Sequence, residues 1–188
     1  MKKNYIILLS ILPIFKKNVS QKNLVNYNIL GNYPVMKIKL DNYDHSILKI
    51  LQTDASLSIE EIAVKVNLSR NPCWRRIKRM EDEGVISKRI VLLNPKKLNL
   101  DLSVIVLLRT NKHEPSWLSK FEKAVQEIPQ ILGAYRMAGD IDYMLRIQLS
   151  SVRDYDNFYQ NLISKVSLSD ISASFVMDTL KETTELPL

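Results

Sequence analysis

Residues 56–86, SLSIEEIAVKVNLSRNPCWRRIKRMEDEGVI, read as two short amphipathic helices joined by a tight turn. Ser58 and Glu61 have the spacing of a capping box, and Ile59, Ile62, Ala63 and Val66 fall on one helical face behind them. Asn67-Leu68-Ser69 supplies the turn. The next helix starts at Ser69 or Asn71, either of which can cap it, tolerates Pro72 in its first turn and stops at Gly84. Its inner stripe is Cys73, Ile77 and Met80. Its other faces carry five cations, Arg70, Arg75, Arg76, Lys78 and Arg79, with no carboxylate between Ser69 and Arg79. A helix with one side packed and phosphate-seeking charge on the other is suited to a DNA major groove.

Upstream, Asp41 can cap a helix that places Tyr43, Ile47, Ile50 and Leu51 on one face and ends at Asp54-Ala55-Ser56. Helix, helix, tight turn and basic helix make a helix-turn-helix of the winged-helix-like kind. Downstream, Lys88–Leu93 (KRIVLL) reads as a strand before the turn at Asn94-Pro95, so the first domain with its strand linker spans 40–100.

From residue 101 the pattern becomes strand and helix in alternation. Ser103–Arg109 suits a buried strand, and Pro115–Ile128 a helix with Trp117, Leu118, Phe121, Val125 and Ile128 inward. Ile131–Met137 and Tyr143–Leu149 read as strands around the turn Ala138-Gly139-Asp140. Val152–Val166 reads as a helix with Tyr155, Phe158, Tyr159, Leu162 and Ile163 inward, and Ile171–Leu180 as a last strand. The order βαββαβ over 101–184 predicts a ferredoxin-like domain, making the chain α+β overall. About 85 residues make a thin core, and the open face of such a sheet needs a cover, most simply a second copy.

Charge is divided along the chain. Residues 1–35 hold five lysines and no acid, 40–100 have eleven basic against eight acidic residues, and 101–188 nine against twelve. A polyanion-binding part joined to a part with another task is the implication. The single cysteine excludes an internal disulfide framework and a cysteine-based zinc site, and fits a reducing cytoplasm. No phosphate-binding glycine loop, nucleophile motif or metal-ligand cluster is present, and the two histidines, His45 and His113, lie far apart. No catalytic residue, metal or cofactor is expected.

The first 35 residues stand apart. Lys2-Lys3 before the apolar run Tyr5–Phe15 has the outline of an export signal, but Pro13 interrupts the run and Lys16-Lys17 closes it. The run is also shorter than the roughly 18–20 apolar residues of a membrane helix. The preferred reading starts the protein at Met36 and takes 1–35 as translated upstream sequence; a disordered or partner-binding arm is the alternative.

Several blocks carry a resemblance: Leu40-Asp41 with Asp44 and Ile47-Leu48, the stretch Leu68–Ile86, Leu93-Asn94-Pro95, and AGDIDYMLRI at Ala138–Ile147. With these at this spacing, residues 40–184 resemble the Lrp/AsnC (leucine-responsive regulator / asparagine regulator) family of transcription factors. The resemblance implies a homodimer with sheets packed face to face, further assembly into tetramers or octamers, double-stranded DNA as partner, and an amino-acid effector near subunit interfaces. It implies no membrane partner and a cytoplasmic location.

The expected DNA contacts are Ser69, Arg70, Asn71, Trp74, Arg75, Arg76, Lys78, Arg79 and Lys88. Asn71 and Arg75 should approach base edges, while Arg76, Arg79 and Lys88 should hold phosphates. Trp74 fits either the groove or the edge of the core. Cys73 reads as a small buried hydrophobe rather than a redox thiol. Gly139, Asp140 and Asp142, with Ala138, are good turn chemistry by themselves. The resemblance makes this turn the effector pocket and adds Arg136, Val152, Ser174, Phe175 and Val176. Arg136 stands where the leucine-responsive member has an aliphatic residue, which argues against leucine. Two other readings remain: a haem-pathway decarboxylase-like relative of this architecture, which would need titratable groups in its cavity, and a ligand sensor whose head does not bind DNA.

Overall fold

The computed structural model describes residues 38–112 and 114–188. The readings of residues 1–35 and of His113 lie outside the described residues. The chain forms two compact units, one ending at Arg89 and taking in Glu185–Leu188, the other running from Ile90 to Thr184. Among the described residues, no helix is long and apolar enough to cross a membrane.

The first unit holds three helices: α1 (Asn42–Thr53), α2 (Ile59–Lys65) and α3 (Arg70–Asp82). Capping boxes start two of them, Asp41 with Asp44 on α1 and Ser58 with Glu61 on α2. Ser69 is the cap residue of α3, but its side chain makes no capping bond. The turn between α2 and α3 follows from Asn67, whose φ of 54° is left-handed. The Leu68 N–H reaches the Ala63 carbonyl at 2.9 Å and the Asn67 N–H reaches Val64 at 3.2 Å, closing a Schellman motif. Gly84 plays the same part after α3 with φ 74°. Ile47, Leu48, Ile62, Ala63, Val66, Cys73, Ile77 and Met80 form the core. Burying each large aliphatic chain is worth about 1.5–3 kcal/mol of transfer free energy, and this small core has few such chains to lose. Tyr43, expected inward, is 45% exposed, and Leu48 takes the buried place.

The second unit is a four-stranded antiparallel sheet with two helices. Its elements are β1 (Leu102–Arg109), α4 (Pro115–Glu127), β2 (Ile131–Arg136), β3 (Tyr143–Leu149), α5 (Val152–Lys165) and β4 (Asp170–Phe175). The strand order β2-β3-β1-β4 is that of the ferredoxin-like fold expected from the sequence. Val104, Val106 and Leu108 of β1 and Tyr143, Leu145, Ile147 and Leu149 of β3 face Trp117, Phe121, Ala124 and Ile128 around α4 and Phe158 and Leu162 of α5. Trp117 stacks on Phe121 at 5.2 Å, and its indole N–H donates to the Ser167 carbonyl at 2.7 Å. Ile163, expected inward, is 39% exposed. By the period of two, Ile105, Leu107, Tyr135, Met144 and Arg146 lie on the sheet's other face, which no described helix covers.

Two expected strands need correction. Lys88–Leu93 takes no regular structure, and Val91 is 83% exposed. An apolar run becomes a strand only when another strand satisfies its backbone, and within the described chain nothing pairs with it. A short 3-10 turn, Pro95–Leu98, follows instead, capped by Asn94. The last strand ends at Phe175 rather than Leu180; the Val176 N–H still reaches the Ser103 carbonyl at 2.9 Å, but β1 begins at Leu102, so there is no strand left to pair with further residues.

Candidate nucleic-acid interface and effector region

The inner stripe of α3 is closed. Cys73 and Met80 are fully buried and Ile77 nearly so. Burial pushes the Cys73 thiol above its ordinary value, against the opposite pull of Arg76, so it stays a protonated core group. That geometry turns the opposite residues outward, and Ser69, Arg70, Asn71, Trp74, Arg75, Lys78 and Arg79 are all exposed. Trp74, open between two readings on sequence, is 49% exposed and outside the core. Lys88 is exposed beyond the helix.

The cations of this helix are not equivalent. Arg70 pairs with Glu60 of α2, and Lys78 with Asp82 one turn on at 2.9 Å. All four of these groups are more than half exposed, so the pairs are weak and easily exchanged. Arg76 and Arg79, expected at phosphates, instead reach Asp44 of α1 at 2.8 and 2.6 Å. The Asp44 side chain is 1% exposed. Arg75 makes no ion pair with a described residue. Sequence reasoning named Asp44 as part of a resemblance but not as a partner of α3. The available clue was its position three residues before Ile47, on the inner stripe of α1 opposite a cationic helix.

The effector candidates fall into two groups. Arg136, Ala138, Gly139, Asp140 and Asp142 lie at the β2–β3 hairpin. Gly139 has φ 130°, a conformation other residues rarely adopt. The Asp142 carboxylate is occupied, accepting from the Thr110 N–H at 2.8 Å. Asp140 lends its carbonyl to Arg109 at 2.9 Å, while its carboxylate makes no bond to a described residue. Val152 opens α5, and Ser174, Phe175 and Val176 end β4.

The registers separate these groups. Tyr143, next to the hairpin, pairs with Leu108, whereas Phe175 pairs with Val104. Four positions along β1 amount to about 13 Å. Val152 follows Leu149, which pairs with Leu102 at that second end. One copy of the sheet therefore does not gather all nine residues around one small ligand.

Comparison with known proteins gives this arrangement a context. Residues 40–87 match a family model described as winged helix-turn-helix DNA-binding, and residues 103–186 one described as the Lrp/AsnC ligand binding domain. The chain is 46% identical over 150 residues to the glutamate uptake regulatory protein of Zymomonas mobilis, covering 80% of this chain and 92% of that protein. It is 43% identical to the DNA-binding transcriptional activator DecR of Escherichia coli, covering 79% and 99%. Among solved structures, an AsnC family regulator from Agrobacterium tumefaciens is similar with a TM-score of 0.77 and 45% identity, covering 79% and 97%. A transcriptional regulator of Neisseria meningitidis, solved with L-methionine, is similar with a TM-score of 0.76 and 31% identity, covering 79% and 97%.

Proposed function

Because this chain belongs to the Lrp/AsnC family of transcriptional regulators, we propose that it reads double-stranded DNA as a homodimer through α3 and is switched by an amino acid held in its sheet domain. That it is a DNA-binding regulator responsive to a small effector, rather than an enzyme, follows from the family.

The observation that carries it is the divided surface of α3. Cys73, Ile77 and Met80 close one side, while Asn71, Trp74 and Arg75 stand exposed on the rest and Lys78 is held only by its solvent-exposed pair with Asp82. Asn71 and Arg75 are the base-reading residues, with the fork geometry that adenine and guanine edges accept. Trp74 offers an apolar surface to a thymine methyl or a sugar. The helix N-terminus at Ser69 and Arg70, uncapped by a side chain, suits a phosphate, as do Lys78 and Lys88.

Dimerisation would cover the sheet face that no described helix covers and give the exposed run Ile90–Leu93 a partner strand. It would also repeat α3 for successive major grooves, and further assembly would give tetramers or octamers. The two groups of effector residues lie too far apart in one copy, so an effector pocket would draw on two. The Asp140 carboxylate is free to accept the ligand's ammonium group, and the backbone at Gly139 is open to its carboxylate. The L-methionine seen in the Neisseria meningitidis relative makes an amino acid the class to test. Such a regulator works in the cytoplasm, where its DNA is.

A gel shift of the protein's own promoter region at rising salt tests the reading. A sequence-specific shift that weakens steeply with salt is expected. Binding without any sequence preference would sink it. For the effector, a thermal-shift panel of amino acids should single out one or a few that stabilise the fold by mass action.

A further inference from the structure

Asp44 occupies an unusual place for an acid. It lies beside Ile47 and Leu48 on the buried side of α1 with 1% of its surface exposed. A carboxylate taken out of water needs partners to offset its lost hydration. Its Oδ1 accepts from Arg76 Nη1 at 2.8 Å, and its Oδ2 from Arg79 Nη2 at 2.6 Å and from the Asp41 N–H at 3.0 Å. Asp41 Oδ2 accepts from the same Arg76 nitrogen at 2.7 Å. The Arg76 guanidinium also lies over the Tyr43 ring, 5.4 Å from its centroid. Both arginines are thus tied back toward α1.

Arg75 is not. Together with Pro72, Arg76 and Arg79 it lines an open concavity of about 290 Å³ on α3. Three guanidiniums meet two carboxylates here, leaving a formal charge of +1 where the sequence alone suggests +3. Phosphate attraction scales with the cations free to displace counterions, and it is blind to base sequence.

We infer that Asp44 is a positioning residue for DNA recognition: by holding Arg76 and Arg79 against α1, it withholds them from backbone phosphates and so restrains non-specific binding. Discrimination then rests with the exposed residues of α3. The inference depends on α3 being the DNA-reading helix, as proposed above. A purely structural Asp44 would make a different prediction, because losing it would weaken binding to every DNA in proportion to the fold it loosens.

The test compares the full chain with its Asp44→Asn, Arg75→Gln, Arg79→Gln and Asp44→Asn/Arg79→Gln variants. Binding to the protein's own promoter fragment and to a scrambled fragment of equal length is followed by fluorescence anisotropy between about 50 and 200 mM salt. Asp44→Asn is expected to bind the scrambled fragment about five- to tenfold more tightly, with a salt slope steeper by roughly one, and to narrow the gap between fragments. The double variant should return the slope toward wild type. Arg75→Gln should weaken the promoter fragment by about tenfold and the scrambled fragment by less, whereas Arg79→Gln stays within roughly twofold of wild type on both.

Unchanged or weaker binding of the scrambled fragment by a folded Asp44→Asn protein overturns the inference. Should that variant fail to fold, the two single arginine variants decide: an Arg79→Gln loss as large as that of Arg75→Gln overturns it too. A wild-type protein that prefers neither fragment would instead overturn the assignment of α3 as the reading helix.

Discussion

Asp44 and Arg79 meet across the α1–α3 interface at 2.6 Å, the acid 1% exposed and the cation 42%. The asymmetry matters for stability. Arg79 can turn into water if the pair breaks, but Asp44 cannot leave the core without unwinding α1. Removing the acid should therefore cost its charged hydrogen bonds without stranding a buried cation. Asp44→Ala is expected to destabilise the helix-turn-helix unit by about 2–3 kcal/mol, and Arg79→Ala by less, since Arg76 still serves Asp44. Urea denaturation followed by circular dichroism measures both; equal losses would contradict this account.

The turn of the helix-turn-helix can be tested at a single position. Asn67 holds φ 54° with its side chain exposed, so only its backbone tolerance is at stake. Asn67→Val forces a β-branched residue into the left-handed region and should cost about 1–3 kcal/mol. Asn67→Gly should be near neutral, because glycine adopts this conformation freely. A Val variant as stable as wild type in urea would mean that the turn relaxes to another geometry.

Much of this was legible in the sequence, and the exceptions share a cause. The Ser58–Glu61 capping box, the turn at Asn67 and the stop at Gly84 depend on neighbours within one helical turn, so local pattern predicted them. The βαββαβ order followed from the change of period between strands and helices. Asp44 was not legible as a partner of Arg76 and Arg79, because an acid in a helix's first turn looks like ordinary capping until a helix 30 residues later packs against it. Lys88–Leu93 failed in the opposite direction: its residues favour a strand, but a strand is a property of two segments. For the effector region, sequence supplied residues but not the spacing between the hairpin and the end of β4, which only the register of β1 provides.

The two tryptophans give a spectroscopic readout of the interface. Trp74 is 49% exposed on α3, while Trp117 is 5% exposed and bonded through its indole N–H. Adding promoter DNA should change the emission of Trp74 alone. A Trp74→Phe protein should show blue-shifted, buried-type emission that no longer responds to DNA. A response that survives in this variant would place Trp74 away from the bound duplex.

Acid should unfold the protein through its capping carboxylates. The Ser58 backbone N–H holds Glu61 below its ordinary value of 4.5, and the Asp44 backbone N–H and the Ser56 hydroxyl hold Asp41 and Asp54 below 3.8. The Ser150 and Ser151 hydroxyls do the same for Asp154. Each folded value is depressed, so the stabilisation is complete above the unfolded value and is lost as pH falls through the folded one. Thermal midpoints should stay flat from neutral pH down to about the ordinary carboxylate values and then fall steadily. Glu61→Gln should begin lower and lose less over the first part of that fall. A midpoint that drops already between neutrality and the ordinary Glu value would point to other titrating groups.

The hairpin offers a pair of acids with different expected roles. Asp142 accepts from the Thr110 N–H at 2.8 Å, and its own N–H donates to the Leu108 carbonyl at 3.1 Å, so it fastens the hairpin to the end of β1. Asp140 gives its carbonyl to Arg109, and its carboxylate makes no bond to a described residue. If the ligand's ammonium group binds at Asp140, then Asp140→Asn should leave the unliganded melting temperature nearly unchanged but abolish the shift given by the effector amino acid. Asp142→Asn should lower the unliganded midpoint through a weakened hydrogen bond worth about 1–2 kcal/mol, while the effector still produces a shift. The opposite outcome, with Asp142→Asn abolishing the shift at unchanged stability, would move the ammonium site one step along the turn and break the assignment made for Asp140.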